Sequence, residues 1–115
     1  MKNNNVEIEY KNKTYNLVFN LNVMEAIQEE YETLDNWGLL TDGKKGEPNA
    51  KAVIYGFTQM INEGIDIAND ENGTEEKLLT LKQVGRIITE VGLEQATMKL
   101  NKAVIESTKS EEKNV

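Results

Sequence analysis

The sequence predicts an α+β, helix-dominated fold: an N-terminal antiparallel β-hairpin followed by about four to five packed α-helices. Three observations carry that expectation. Apolar and polar side chains alternate from Val6 to Phe19, the period of a strand with one buried face. From Val23 onward the apolar residues recur at helical spacing. The helical stretches are separated by Gly-, Asn- and Asp-rich segments of the kind that form turns and caps.

The hairpin comes first. Folding the chain at Asn12-Lys13 pairs Val6 with Phe19, Ile8 with Leu17 and Tyr10 with Tyr15 on one face. Glu7, Glu9, Asn16 and Val18 then take the other face. A slip of one residue would set the apolar residues against polar partners, so the alternation constrains the register. Asn22 is the expected N-cap of the first helix, with Glu25 completing a capping box. That helix carries Val23, Ile27, Tyr31 and Leu34 on its inner stripe. The stretch Leu34–Leu40 reads either as a short second helix or as an apolar hook.

Thr41 to Pro48 is a loop with two glycines and the only proline. Pro48 suits the first turn of the next helix, where its missing N–H is not needed. This helix is expected from about Asn49 to about Ala68, with Val53, Phe57, Met60, Ile61, Ile65 and Ala68 inward. Gly56 and Gly64 each weaken it by about 1 kcal/mol relative to alanine, which points to close packing at one of them at least. A second polar loop spans Asn69–Gly73. Thr80 and Gln83 form the capping box of a helix bearing Val84, Ile87, Ile88 and Val91, closed by Gly92 in the left-handed conformation. The last helix starts near Leu93 and turns Ala96, Leu100, Ala103 and Val104 inward. Residues 1–106 are read as one globular domain, and 107–115 as a flexible charged tail with little to bury.

Composition narrows function. The 115 residues are 38% hydrophobic and 29% charged, with a net charge of −7 and a pI near 4.7. Such acidity opposes sequence-independent binding to phosphate backbones, so no nucleic-acid partner is expected. No apolar run reaches the roughly 20 residues of a membrane span. With no cysteine and no histidine, the usual nucleophile–base pairs and thiolate or imidazole metal sites cannot be built. The carboxylates fall on helical faces and loops. Asp66, Asp70, Glu71 and Asn72 lack the alternating spacing of a calcium loop, and Gly38, Gly43 and Gly46 lack the strand and the Gly-Lys-Ser/Thr of a phosphate cradle. No catalytic residue, metal or cofactor is expected. Trp37 has two readings, core packing and partner docking, and Tyr55 reads as packing.

Lys13-Thr-Tyr15-Asn-Leu17-Val-Phe19, followed by Leu21-Asn-Val-Met-Glu25 and Glu30-Tyr31, resembles the opening of small tail assembly chaperones of Gram-positive siphophages and prophages. Those begin with a "Lys-x-Tyr-x-Leu-x-Phe" strand and a helix ending in "Leu-Glu-x-x-Tyr/Phe-Gly". Ile54-Tyr-Gly-Phe57-Thr-Gln-Met-Ile61-Asn-Glu-Gly64 and Leu79-Thr-Leu-Lys-Gln-Val-Gly85-Arg are similar too, so the likeness spans about residues 6 to 106. It departs at the first helix end, where the family's glycine is displaced to Gly38, after an inserted Trp37. The resemblance implies a non-enzymatic protein of the host bacterial cytoplasm, absent from the mature virion. Its partners would be the tape measure protein, which it keeps soluble, and the tail-tube protein; homo-oligomerisation is open. A head–tail connector or tail-completion protein, and an acidic inhibitor or nucleic-acid mimic, are the competing readings. A holdase needs exposed apolar side chains, and Trp37, Leu39, Leu40, Met98 and Ile105 lie off the inward stripes. These five are the candidate partner-binding residues.

Overall fold

A computed structural model describes residues 6–44 and 46–113, with side chains described to residue 107. Strands β1 (Val6–Tyr10) and β2 (Lys13–Leu17) form the hairpin. Five helices follow: α1 (Leu21–Tyr31), α2 (Leu34–Thr41), α3 (Ala50–Asn72), α4 (Leu81–Val91) and α5 (Leu93–Lys113). The 23-residue α3 is the spine, packing against β2 and against every other helix. Its Ala52, Val53, Phe57, Met60 and Ile61 are almost fully buried. They meet Val23 and Ile27 of α1, Val84 and Ile87 of α4, and Leu100 of α5 in one continuous core.

The hairpin register differs from the expected one by two residues: Val6 faces Leu17, Ile8 faces Tyr15 and Tyr10 faces Lys13. The turn is Lys11-Asn12, with φ of 51° and 65°. Two positive φ angles in a two-residue loop match the right-handed twist of the strands, and this geometry outweighs the pairing of Val6 with Phe19. A shift of two preserves facing, so Val6, Ile8 and Leu17 are still buried. The ribbon lies close on α3. Val18 N–H donates to the Met60 carbonyl (3.2 Å), and a Cβ at Gly64 would stand 2.8 Å from the Asn16 carbonyl oxygen. Gly64 is therefore a close-approach glycine, against a strand and not a helix.

Because β2 ends at Leu17, the chain is extended at Asn20, and Asn20 caps α1 by accepting from Val23 N–H. The expected cap, Asn22, sits inside the helix. The side-chain amides of both asparagines donate to Glu63 of α3 (2.8 and 3.1 Å). Helix α1 stops at Tyr31 because Glu32 takes φ +73°, ψ −47°, closed by a hydrogen bond from Thr33 N–H to the Tyr31 carbonyl. This is a γ-turn of the rarer, strained hand. Leu34 therefore opens α2, capped by Thr33, and the helical reading of Leu34–Leu40 holds over the hook.

Pro48 precedes the α3 cap, Asn49, instead of lying in the first turn. At its other end α3 runs to Asn72, absorbing most of the expected loop 69–73. Gly73 (φ 65°, ψ 33°) is the left-handed terminator, and its N–H and that of Thr74 both return to the Asn69 carbonyl. The chain then comes back along α3 in an extended path held by two asparagine side chains. Asn62 accepts from Leu79 N–H (2.8 Å) and donates to the Leu79 carbonyl (2.9 Å). Asn69 does the same for Glu76, at 3.0 Å in each direction. Lys13 adds an exposed ion pair to Glu76. The Thr80/Gln83 capping box forms as expected. Gly92 has positive φ, but with ψ 135°; this is a glycine-only region distinct from the left-handed helix, and it turns α4 directly into α5. The backbone of α5 continues through 107–113, so the expected tail boundary at 106 falls within the helix; Asn114 and Val115 lie outside the described residues.

Candidate functional site: the exposed edge of α2 and its grooves

Helix α2 is short, so what pins it matters. Trp37 and Thr41, one turn apart, face inward and are 2% and 0% exposed. The indole Nε1–H donates to the Ala52 carbonyl (3.0 Å), and the six-membered ring lies over Gly56, where an added Cβ would be 2.4 Å from Cζ2. The Thr41 hydroxyl donates to the Trp37 carbonyl at 3.1 Å. Asn49 N–H closes the following loop onto the Leu40 carbonyl (2.7 Å). Trp37 is thus a core residue rather than an exposed docking residue: packed against α3, it offers only a 2% exposed edge to the groove between α2 and α5. The absent Cβ of Gly56 makes this burial possible, so close packing between helices is the reason for that glycine.

Anchoring one face of α2 turns the other outward. Leu39 and Leu40 are 50% and 39% exposed. Leu39 is a ridge between two grooves. One, of about 580 Å³, runs between α2 and α5, with Leu34, Leu39, Val104 and Ile105 on its walls and Asp35, Asp42 and Lys44 at its edge. The other, of about 780 Å³, lies between Leu39, Leu40, Tyr31 and Pro48. Ile105, 57% exposed, faces Leu39 across the first. Met98 is 62% exposed and lines neither groove. Standing two turns before Ile105, it shares that face of α5 and extends its apolar edge beyond the groove. Four of the five candidates are therefore on the surface, and three of those gather around α2.

Tyr31 and Tyr55 meet edge to face at 5.8 Å. Burial, reinforced by the Glu30 carboxylate, raises the pKa of both phenols above the ordinary tyrosine value. The Tyr55 hydroxyl donates to the Ala26 carbonyl (3.0 Å), while the buried Tyr31 hydroxyl has no hydrogen-bond partner among the described residues. Among the described residues no group of three acidic side chains is placed to hold a metal ion, and no helix is long and apolar enough to cross a membrane.

Sequence reasoning missed Leu21, Leu78 and Leu81, which are 74%, 47% and 53% exposed. A signal was present: each lies at or just before a helix start, where a side chain projects beyond the inward stripe. It also missed a third groove, of about 880 Å³, between α1, α3 and α4. Comparison with known protein families, with characterised proteins and with solved structures finds no match.

Proposed function

We propose that the chain is a bacteriophage tail assembly chaperone. It binds helical segments of the tape measure protein, keeps that protein soluble in the host cytoplasm, promotes assembly of the tail tube around it, and catalyses no reaction. The observation that carries this reading is the facing pair Leu39 and Ile105, both half-exposed across an apolar groove with a charged edge. A groove between two helices, open along its length, suits the apolar face of a third helix. The resemblance of the residue pattern quoted above to small tail assembly chaperones supports the same reading.

Energetics favour a weak, repeated contact. Fully burying a leucine or isoleucine yields about 1.5–3 kcal/mol, and these side chains are already about half covered, so Leu39, Leu40 and Ile105 together contribute on the order of 3 kcal/mol. One such contact would not hold a client; copies that also bind one another along a long client would, because that linkage raises the effective concentration of each contact. A net charge of −7 keeps the coated complex dispersed. The reading is tested by titrating peptides that tile the tape measure protein of the same phage or prophage and following backbone amide shifts. Binding peptides should move Leu39, Leu40 and Ile105. Shifts confined to other surfaces, or none with any peptide, would remove its support.

A further inference from the structure

We propose that the groove between α1, α3 and α4 is a second docking site, and that its occupant is an acidic amphipathic helix of a partner protein. The floor is apolar: Ile54 and Tyr55 from α3, and Leu81 and Gly85 from α4. The edge is cationic. Lys51, Lys82 and Arg86 face a single carboxylate, Glu30, in a chain whose 20 acidic residues outnumber 13 basic ones. Among the described residues, none of these three cationic side chains has an ion-pair or hydrogen-bond partner.

Gly85 supplies an independent observation. A glycine inside a helix loses about 1 kcal/mol relative to alanine. At Gly56 and Gly64 the neighbouring indole and carbonyl leave no room for a side chain. At Gly85 an added Cβ would meet only Ile54 Cδ1, at an ordinary 3.6 Å. Nothing inside the molecule requires glycine there. What its absent side chain does is deepen the floor of the groove, so that an incoming helix can sit close.

Spacing identifies the partner. Leu81 and Gly85 are one turn apart on α4, and so are Lys82 and Arg86 beside them. A helix laid along this groove meets an apolar row flanked by two cations one turn apart. Its complement is an apolar stripe at i, i+3 and i+7 flanked by Asp or Glu four residues apart. Nucleic acid also offers negative charge, but its phosphate backbone has no apolar stripe to set against the floor of Ile54, Tyr55 and Leu81.

The test uses the full chain and a synthetic helical peptide of about 18 residues, with leucines on one stripe and glutamates flanking it. Its control has lysine at every glutamate. Fluorescence anisotropy and amide shifts should show saturable binding of the glutamate peptide, about tenfold tighter than the lysine peptide, with shifts at Leu81, Gly85 and Arg86. Lys82→Glu with Arg86→Glu, both on exposed positions, should weaken it about tenfold. Gly85→Ala should weaken it while leaving the melting temperature unchanged or higher. Equal affinity for the two peptides, indifference to the charge reversals, or shifts mapping only to the α2–α5 groove would overturn the proposal. Concentration-dependent self-association abolished by the same reversals would also overturn it, making a second copy the occupant.

Discussion

Gly56→Ala is expected to destabilise the fold although it replaces a helix-interior glycine with the best helix former. Propensity alone predicts a gain of about 1 kcal/mol. Against it stands the geometry at Trp37, where the new methyl would lie 2.4 Å from Cζ2, 3.0 Å from Cε2 and 3.1 Å from Nε1. The indole cannot retreat without giving up its 3.0 Å hydrogen bond to the Ala52 carbonyl. Overpacking of this kind costs about 1–3 kcal/mol, and an orphaned buried indole N–H a further 1–3 kcal/mol or so. The net expectation is a loss of about 1–5 kcal/mol, or a fall in melting temperature of roughly 4–20 °C. Thermal and urea unfolding followed by circular dichroism read this directly. Gly85→Ala is the matched control, since its Cβ has room, and it should gain up to about 1 kcal/mol. In a Trp37→Leu background the two alanine substitutions should converge, because the clash is gone. A Gly56→Ala protein as stable as the parent, or a penalty that persists without the indole, would refute the assignment of Trp37 to the α2–α3 contact.

Glu32→Gly should stabilise by about 1 kcal/mol, because glycine reaches φ +73° without the side-chain penalty; no gain in urea midpoint would contradict the γ-turn. Asn62→Ala should cost about 1–3 kcal/mol by leaving both polar groups of Leu79 unpaired, and hydrogen exchange should accelerate first at Leu79. Tyr31 and Tyr55 have folded pKa values raised above 10, so the folded state binds more protons at alkaline pH. The stability tied to these neutral phenols is fully present below about pH 10 and declines as pH rises through their folded values. Tyr31→Phe should reduce that decline and, by removing a buried hydroxyl without a partner, leave stability at neutral pH unchanged or higher. A steeper alkaline loss in the variant would count against it.

What could be read from the sequence was periodicity, and what could not was geometry at element ends. The inward stripes of α3 and α4 follow from spacing alone, except that Ala68 is exposed because α3 runs past the core after Ile65; the Thr80/Gln83 cap follows too, because both its partners lie within one turn. The faces of the hairpin survived a two-residue change of register since parity is conserved, but the Lys11-Asn12 turn carries no glycine to announce it. The end of α1 was hidden for the same reason: Glu32 takes a conformation that side-chain type argues against. Asn62 and Asn69 look like solvated residues on a polar face. Their role appears only once the chain returns along α3 to meet them. Trp37 was undecidable by pattern, although Gly56 on the adjoining helix was the clue to its burial. The cationic groove was invisible because Lys51 and the Lys82/Arg86 pair belong to different helices and converge only in the fold.

The outward face of α2 and the adjoining face of α5 are proposed to hold an apolar helical client in solution. The most direct test is co-expression of this chain with a fragment of the tape measure protein from the same phage or prophage, measuring the fraction of fragment that stays soluble and co-purifies. The wild-type chain should keep the fragment in solution. A variant carrying Leu39→Asp and Ile105→Asp, both half-exposed positions, should lose that capacity while circular dichroism shows it still folded at the working temperature. A fragment that precipitates with the wild-type chain, or stays soluble equally well with the folded double variant, would contradict the claim.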